Sequence, residues 1–433
     1  MTIHFVGIGG IGVSALARHF LLEKNKVTGS DLSKSKITED LEELGADITY
    51  RHSSKNIKKE TDLVIFSPAI PEDNPEIKKA KSMEIETRSY PKALGELTKD
   101  YFTIAVSGTH GKSTTTSMAA LVLEAGSLDP TVIVGTKLKE FNDSNYRKGN
   151  SEILLIEADE WQGSLLNYHP DIIILTNLEL EHVDYYENLE KLLETFQNYV
   201  DRLDENGVAI INNEDENLMR LKVKQKVNYF SKEDSIAEKV KEKIKVPGVH
   251  NLENALAAYR LGKTLEIESD LILDGLSKYE GSWRRFEQKK IQINQKKYDL
   301  VLDYAHHPTE LKAVLQAARE KFEERRIWAI FQPHQYQRSM HLKKEFVEVF
   351  KSSPVDKLSI VDIYSVPGRE KESIKDKISS KALVDEVESS KIEYLPGNLK
   401  EISGKIRDNL QGNELIVIIG AGDIYKVEDF LKG

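Results

Sequence analysis

Apolar residues fall along this chain in short runs, separated by longer stretches in which they recur every three or four positions. Brief strands alternating with amphipathic helices are the pattern of βα units wound around parallel sheets. Three blocks separate. The first has strand-like runs at 4–6, 26–29 and 63–66, a helix over 14–23 and a helical stretch before Lys99. The second has runs at 103–106, 153–156, 172–175 and 208–211, and closes with a helix from about Asn251 whose apolar face is Leu252, Ala255, Leu256 and Tyr259. The third follows Trp283, with runs at 300–302, 327–331, 358–361 and 415–419 between charged helices. The expectation is a three-domain α/β protein with limits at 1–99, 100–282 and 283–433. The lysine- and glutamate-rich stretch 231–245 reads as a solvated helix or loop, not a binding tail.

Length agrees with several folding units: the chain has 433 residues, and single cores stop growing near ~250–300. A formal charge of −10, from 61 basic and 71 acidic residues, argues against a general nucleic-acid surface. There is no cysteine, so disulfides and thiolate metal sites are excluded. No apolar run approaches the ~20 residues that span a bilayer, and the N-terminus carries no basic signal region. We expect a cytoplasmic protein, monomer or homodimer, with no membrane insertion.

Chemistry is densest in the second block. The run 103–106 leads into Gly108-Thr109-His110-Gly111-Lys112-Ser113-Thr114 and then a helix to about Glu124. Glycines let backbone N–H groups approach phosphate, and the helix N-terminus adds its dipole. Lys112 would neutralise the β- and γ-phosphates of ATP, and the Ser113 hydroxyl would ligate Mg²⁺. Val106 stands where the strict phosphate-loop pattern has its first glycine. Two later strands end in Glu157-Ala158-Asp159-Glu160 and in Thr176-Asn177-Leu178-Glu179-Leu180-Glu181-His182-Val183-Asp184. Ligands bind beyond the carboxyl ends of parallel strands, so these oxygens and one imidazole read as a hard-cation site. Glu157 and His182 are its favoured members; for Glu160 and Glu179 a capping or solvated role is as good a reading.

A second glycine loop, Gly7-Ile8-Gly9-Gly10-Ile11-Gly12, follows the first strand and opens a helix, with Asp31 19 positions beyond Gly12. Alone it suggests a dinucleotide and hence an NAD-dependent oxidoreductase. Two nucleotide loops in one chain are better explained if one holds a nucleotide-linked substrate and the other ATP.

The ordered segments GIGGIGVSALA, SPAIPEDNPE, GTHGKSTTTS, EADE, TNLELEHVDYY, PGVHNLENALAA, WRRFE, DYAHHPTE, FQPHQYQRS and GAGDI resemble the successive signatures of the Mur ligases of bacterial cell-wall synthesis. The resemblance covers almost the whole chain. It implies an N-terminal Rossmann-like domain for a UDP-linked substrate, a central phosphate-loop ATPase-like domain and a C-terminal Rossmann-like domain for an amino acid. Gly7, Gly9, Gly10, Gly12, Asp31, Ser67 and Arg88 would then serve the UDP substrate. Gly108 to Thr114, with His250, Asn251, Asn254, Arg285 and Asp303, would serve ATP. Ser113, Glu157 and His182 would hold Mg²⁺, and Lys112, Glu157, His182 and Arg285 would be catalytic. His306, His307 and Arg338 would receive the amino acid. The implied reaction is ATP-driven joining of L-alanine to the carboxylate of UDP-N-acetylmuramate through an acyl phosphate, with closure near residues 281–283. Rival readings are a recycling ligase that adds an intact peptide, an NAD enzyme, and a non-catalytic nucleotide-binding regulator. Four departures bear on the acceptor: Gln335 where the family has an arginine, Gln162 beside Trp161, Gly135-Thr136 for a glycine pair, and a short segment between Ile211 and Pro247.

Overall fold

A computed structural model describes every residue except 183–184, 367–369, 371 and 433, and leaves out the side chain of Glu372. Three sheets carry the fold. The first contains β1 (Thr2–Val6), β2 (Lys26–Ser30), β3 (Asp47–Thr49), β4 (Leu63–Phe66) and β5 (Glu86–Ser89), in the order β3-β2-β1-β4-β5. Every pairing is parallel. Neighbouring strands are joined through helices, and Ile3, Phe5, Leu16, Leu41 and Ile65 form the core beneath them.

The second sheet contains β6 (Phe102–Ser107), β7 (Thr131–Leu138), β8 (Ser144–Arg147), β9 (Ile153–Glu157), β10 (Ile172–Leu175), β11 (Val208–Asn212) and β12 (Lys226–Phe230). Its order is β12-β11-β10-β6-β9-β7-β8. The third contains β13 (Glu287–Ile293), β14 (Lys296–Asp303), β15 (Arg326–Phe331), β16 (Lys357–Ile360), β17 (Ile392–Tyr394) and β18 (Glu414–Ile419), ordered β13-β14-β18-β15-β16-β17. Its central strands read as continuous apolar runs because helices cover both faces; β18 is buried at all six positions.

The α/β pattern of parallel strands holds except at two sheet edges. β7 pairs antiparallel with β8, and β13 antiparallel with β14. Between β13 and β14 the two turn residues Asn294 and Gln295 both have positive φ, 48° and 66°. Such a two-residue turn matches the twist of a hairpin. The sequence hides it because no glycine marks the turn. The stretch 231–245 forms the helix Ala237–Lys243, which buries Ala237 and Val240 and leaves its charges outward.

Contacts divide the chain into two compact units: residues 1–243 with 253–279, and residues 244–252 with 280–433. The first two sheets share the first unit.

Candidate functional site

The loop after β6 has two glycines in the left-handed region, Gly108 at φ 132° and Gly111 at φ 81°. A Cβ on Gly108 would collide with the Thr176 hydroxyl, and one on Gly111 with the Asn254 side chain. Only glycine satisfies both the backbone and the space. The loop is tied down from β10: Thr109 N donates to Asn177 O at 3.0 Å, and His110 N to Asn177 Oδ1 at 2.8 Å. Thr109 Oγ1 donates to Glu179 O at 2.9 Å. The helix Lys112–Ala125 then begins with no side-chain cap, so its first N–H groups remain available to an anion. Thr114 lies buried in its first turn, and Thr115 donates to Asn254 Oδ1 at 3.1 Å.

Lys112 folds over this loop. Its Nζ donates to Gly108 O at 2.7 Å, Thr109 O at 3.1 Å and Glu160 Oε2 at 2.7 Å. Desolvation works to lower the Lys112 pKa, but the charges of Glu160, Asp159 and Glu157 outweigh it and the net displacement is upward. The lysine is therefore a fixed cation. Glu160 is fully buried, and desolvation pushes its carboxyl up despite Lys112.

The structure divides what the sequence grouped. Glu157, at the end of β9, accepts from Ser113 Oγ at 3.0 Å and from Gly135 N at 2.7 Å. His182 does not join that pair; its Nε2 lies 3.5 Å from Glu160 Oε1. Ligand atoms of Asp159, Glu160 and His182 all fall within 4.8 Å of one another. The reason is local. Glu157 ends a strand aimed at the helix N-terminus, whereas Asp159 and Glu160 lie in the turn beyond it. That turn leads through Gln162 and Gly163, both at positive φ. Glu160 Oε1 has no hydrogen-bond partner among the described residues. A buried carboxylate oxygen without a donor, beside a second carboxylate and an imidazole, fits a divalent cation. Glu160 is thus the residue that sequence reasoning undervalued, and Asp184 of the same motif lies outside the described residues.

The N-terminal loop is a separate construction in the same unit. Gly7 has φ 77°, and the N–H groups of Gly7 and Ile8 donate to Ser30 O at 2.9 and 3.0 Å. Gly9 N donates to Asp31 Oδ2 at 2.9 Å, so Asp31 holds the loop itself. Gly10 caps the helix Ile11–Leu22 with no side-chain bond, leaving a second open helix N-terminus. Ser67 packs beside Gly7, whose Cβ would stand 3.2 Å from the serine Cβ. Arg88, on β5, is engaged by Glu86 at 2.6 Å.

In the second unit the predicted residues gather at the carboxyl ends of β14 and β15. Asp303 accepts from the N–H groups of Phe286 at 2.7 Å and Ala305 at 2.8 Å. Burial pushes its carboxyl up to about 6, with Arg285 and those two donors pulling the other way. Asp303 therefore shapes the turn that carries Arg285, whose guanidinium lies over the Tyr304 ring at 5.0 Å. Neighbouring Arg284 is buried against Trp283, Tyr304 and Tyr425 and donates to Gly420 O and Gly422 O. His307 caps the helix Pro308–Lys321, and His306 lies 3.3 Å from Glu310 and edge-on to His334. His334 stacks on Tyr364 and sits 3.3 Å from Arg338. Gln335 is buried at φ 69°, its N–H donating to Tyr364 O. His250 and Asn251 belong to this unit and Asn254 to the first. Asn251 donates to Pro247 O at 2.6 Å, and desolvation pushes His250 down to about 4 against the pull of Glu310.

Three family descriptions match the chain in succession: Mur ligase family, catalytic domain, over residues 2–102; Mur ligase middle domain over 106–262; and Mur ligase, glutamate ligase domain over 284–422. A UDP-N-acetylmuramate–L-alanine ligase of Acetivibrio thermocellus is 39% identical, across 99% of this chain and 95% of its own length. The protein of that name from Sulfurihydrogenibium is 36% identical, across 99% and 96%. Among solved structures, the UDP-N-acetylmuramate-alanine ligase of Thermotoga maritima aligns with a TM-score of 0.82 at 28% identity, covering 100% of this chain and 98% of that one. A murein peptide ligase of Psychrobacter arcticus shares the fold, with a TM-score of 0.73 at 21% identity. The three successive domain matches span nearly the whole sequence, and the chain belongs to the Mur ligase family.

Proposed function

We propose that this protein joins L-alanine to the carboxylate of UDP-N-acetylmuramate, with ATP cleaved to ADP and phosphate, in the cytoplasmic assembly of peptidoglycan precursors. Full-length relatives of that name support the reading. So does the observation that carries it: two independent glycine loops in one unit, one opening on the fixed cation Lys112, the other on an uncapped helix N-terminus. The domain limits 1–99, 100–282 and 283–433 belong to the same proposal.

ATP enters as a substrate. Lys112 meets its β- and γ-phosphates, taking them in place of the loop carbonyls it now contacts, while N–H groups at the start of the helix Lys112–Ala125 add their dipole. A carboxylate oxygen of the UDP substrate attacks the γ-phosphorus, ADP leaves, and an acyl phosphate forms. The unprotonated amine then attacks the acyl carbon, phosphate departs, and the amide remains once a proton is lost. No side-chain nucleophile is required. Ser113 with Glu157, and His182 with Asp159 and Glu160, would hold Mg²⁺, which when bound spreads the charge of the transferring phosphoryl group. Arg285 is the proposed γ-phosphate contact, and His306, His307 and Arg338 the proposed cradle of the amino acid. Gly281, at φ 98°, is the proposed hinge.

Phosphate release tests the proposal. It should require ATP, UDP-N-acetylmuramate and L-alanine together, and Lys112→Ala should lower kcat by about 100-fold or more while UDP-substrate affinity stays within about twofold. Turnover with an intact peptide in place of alanine would favour the recycling reaction, the reading kept open by Gln335. Loss of UDP-substrate affinity in Lys112→Ala, with unchanged ATP turnover, would contradict the assignment of the loops.

A further inference from the structure

The seam between the first two sheets holds a phenol that neither glycine loop accounts for. Tyr90 opens the helix Tyr90–Thr98, and its ring packs against both the core under β1–β5 and the core of the second sheet. A ring gripped by two close-packed cores has one place to be. Its hydroxyl makes no hydrogen bond to a described residue and lies against the last glycine of the N-terminal loop. A Cβ on Gly12 would stand 2.8 Å from the Tyr90 Cζ and 3.0 Å from its oxygen. The charges of Glu157 and Asp159, after the larger effect of desolvation, hold the phenol well above its usual pKa, so it remains a neutral donor. Tyr90 therefore stands against the loop assigned to UDP, where the core of the first sheet meets the core of the sheet that carries the phosphate site.

The substrate proposed above has to cross this same seam. Its diphosphate belongs at the N-terminal loop and its carboxylate beside Lys112, so the amino sugar and its ether-linked lactyl group lie between. We infer that the Tyr90 hydroxyl is a direct contact for that middle part of the UDP-linked substrate, donating a hydrogen bond to one of its oxygens. The inference rests on the reading of the Gly7–Gly12 loop as the seat of the UDP group. It also explains why position 12 carries no side chain: anything larger would push the ring out of the seam.

Tyr90→Phe removes the hydroxyl and keeps the ring. Calorimetric titration should show UDP-N-acetylmuramate binding weakened about 5- to 10-fold, the loss of one neutral hydrogen bond. Affinity for UDP alone, KM for ATP and Tm should be unchanged, because none of these engages the hydroxyl. Equal affinity of the two proteins for UDP-N-acetylmuramate would overturn the inference, as would an equal loss for UDP and for the full substrate. Failure of the unmodified protein to bind UDP-N-acetylmuramate would overturn the underlying assignment of the loop, and that result is read without the variant.

Discussion

Glu76 shows how much a single buried charge can organise. It is fully buried, and its two oxygens are divided among fixed donors. Oε1 accepts from Ser53 N at 3.2 Å and from Asn56 Nδ2, while Oε2 accepts from Ser30 Oγ at 2.6 Å and lies 3.2 Å from His52 Nδ1. Desolvation pushes its carboxyl up, but the nearby His4 imidazole, 3.9 Å away, and the bonds from Ser30, Asn56 and Ser53 prevail and bring it down to about 2. A folded pKa below the unfolded one contributes stability that is complete above the unfolded value of about 4.5 and is lost as pH falls toward 2. Glu76→Gln turns an NH₂ toward a donor whichever way the amide is placed, and should cost about 1–3 kcal/mol at pH 7. Urea melts at pH 7 and at successive steps below pH 4.5 should show the gap between the two proteins closing as pH falls. A gap unchanged with pH would contradict the account of its charge. Glu76 closes the segment SPAIPEDNPE, but its own role was not legible, because its partners come from three other segments, at His4, Ser30 and 52–56. The position of Lys112 and Ser113 at the start of a helix, by contrast, was legible from local spacing alone. Glu160 was only half legible: its spacing after Glu157 gave equal weight to a cap, and only the fold brings it to Lys112 and His182.

At the scale of elements, the strand positions were readable because buried parallel strands are continuous apolar runs: 63–66 and 172–175 match β4 and β10 residue for residue. The short edge strands β3, β5, β12 and β17 were not, since a half-exposed edge carries polar residues such as those of Glu86–Ser89. The hairpins β7–β8 and β13–β14 were missed for want of a glycine turn. One of them matters for the site, because Gly135 on β7 donates its N–H to Glu157. Gly108 and Gly111 both take positive φ where a side chain would collide, and Gly108 makes the sharpest element-level test. Its φ of 132° and the adjacent Thr176 hydroxyl leave no room for a methyl group. Gly108→Ala should leave the sheet folded but move the loop, costing about 1–3 kcal/mol of stability from strain and lowering ATP affinity by at least about 10-fold. A variant with unchanged ATP binding, followed by nucleotide titration, would show that the loop does not clasp phosphate.

For the whole molecule, the division of labour follows from where the open helix N-termini lie. Both loops occupy one unit, each following the first strand of its sheet, so a nucleotide-linked carboxylate and a second nucleotide can be presented to one another. The modest charge of −10 leaves anion binding to such local devices, not to a basic surface. Among the described residues no helix is long and apolar enough to cross a membrane. The family and the three-domain α/β fold were legible at this scale because signatures recur in order from Gly7 to Gly420. What the sequence left open was the acceptor, since Gln335 carries no guanidinium for a carboxylate. The central claim is that the loop around Lys112 activates the substrate's own carboxylate. UDP-N-acetylmuramate labelled with ¹⁸O in both carboxylate oxygens, turned over with ATP and L-alanine, tests it by mass analysis of the released phosphate. The account predicts one ¹⁸O in the phosphate and one retained in the amide for each turnover; phosphate free of label would contradict it.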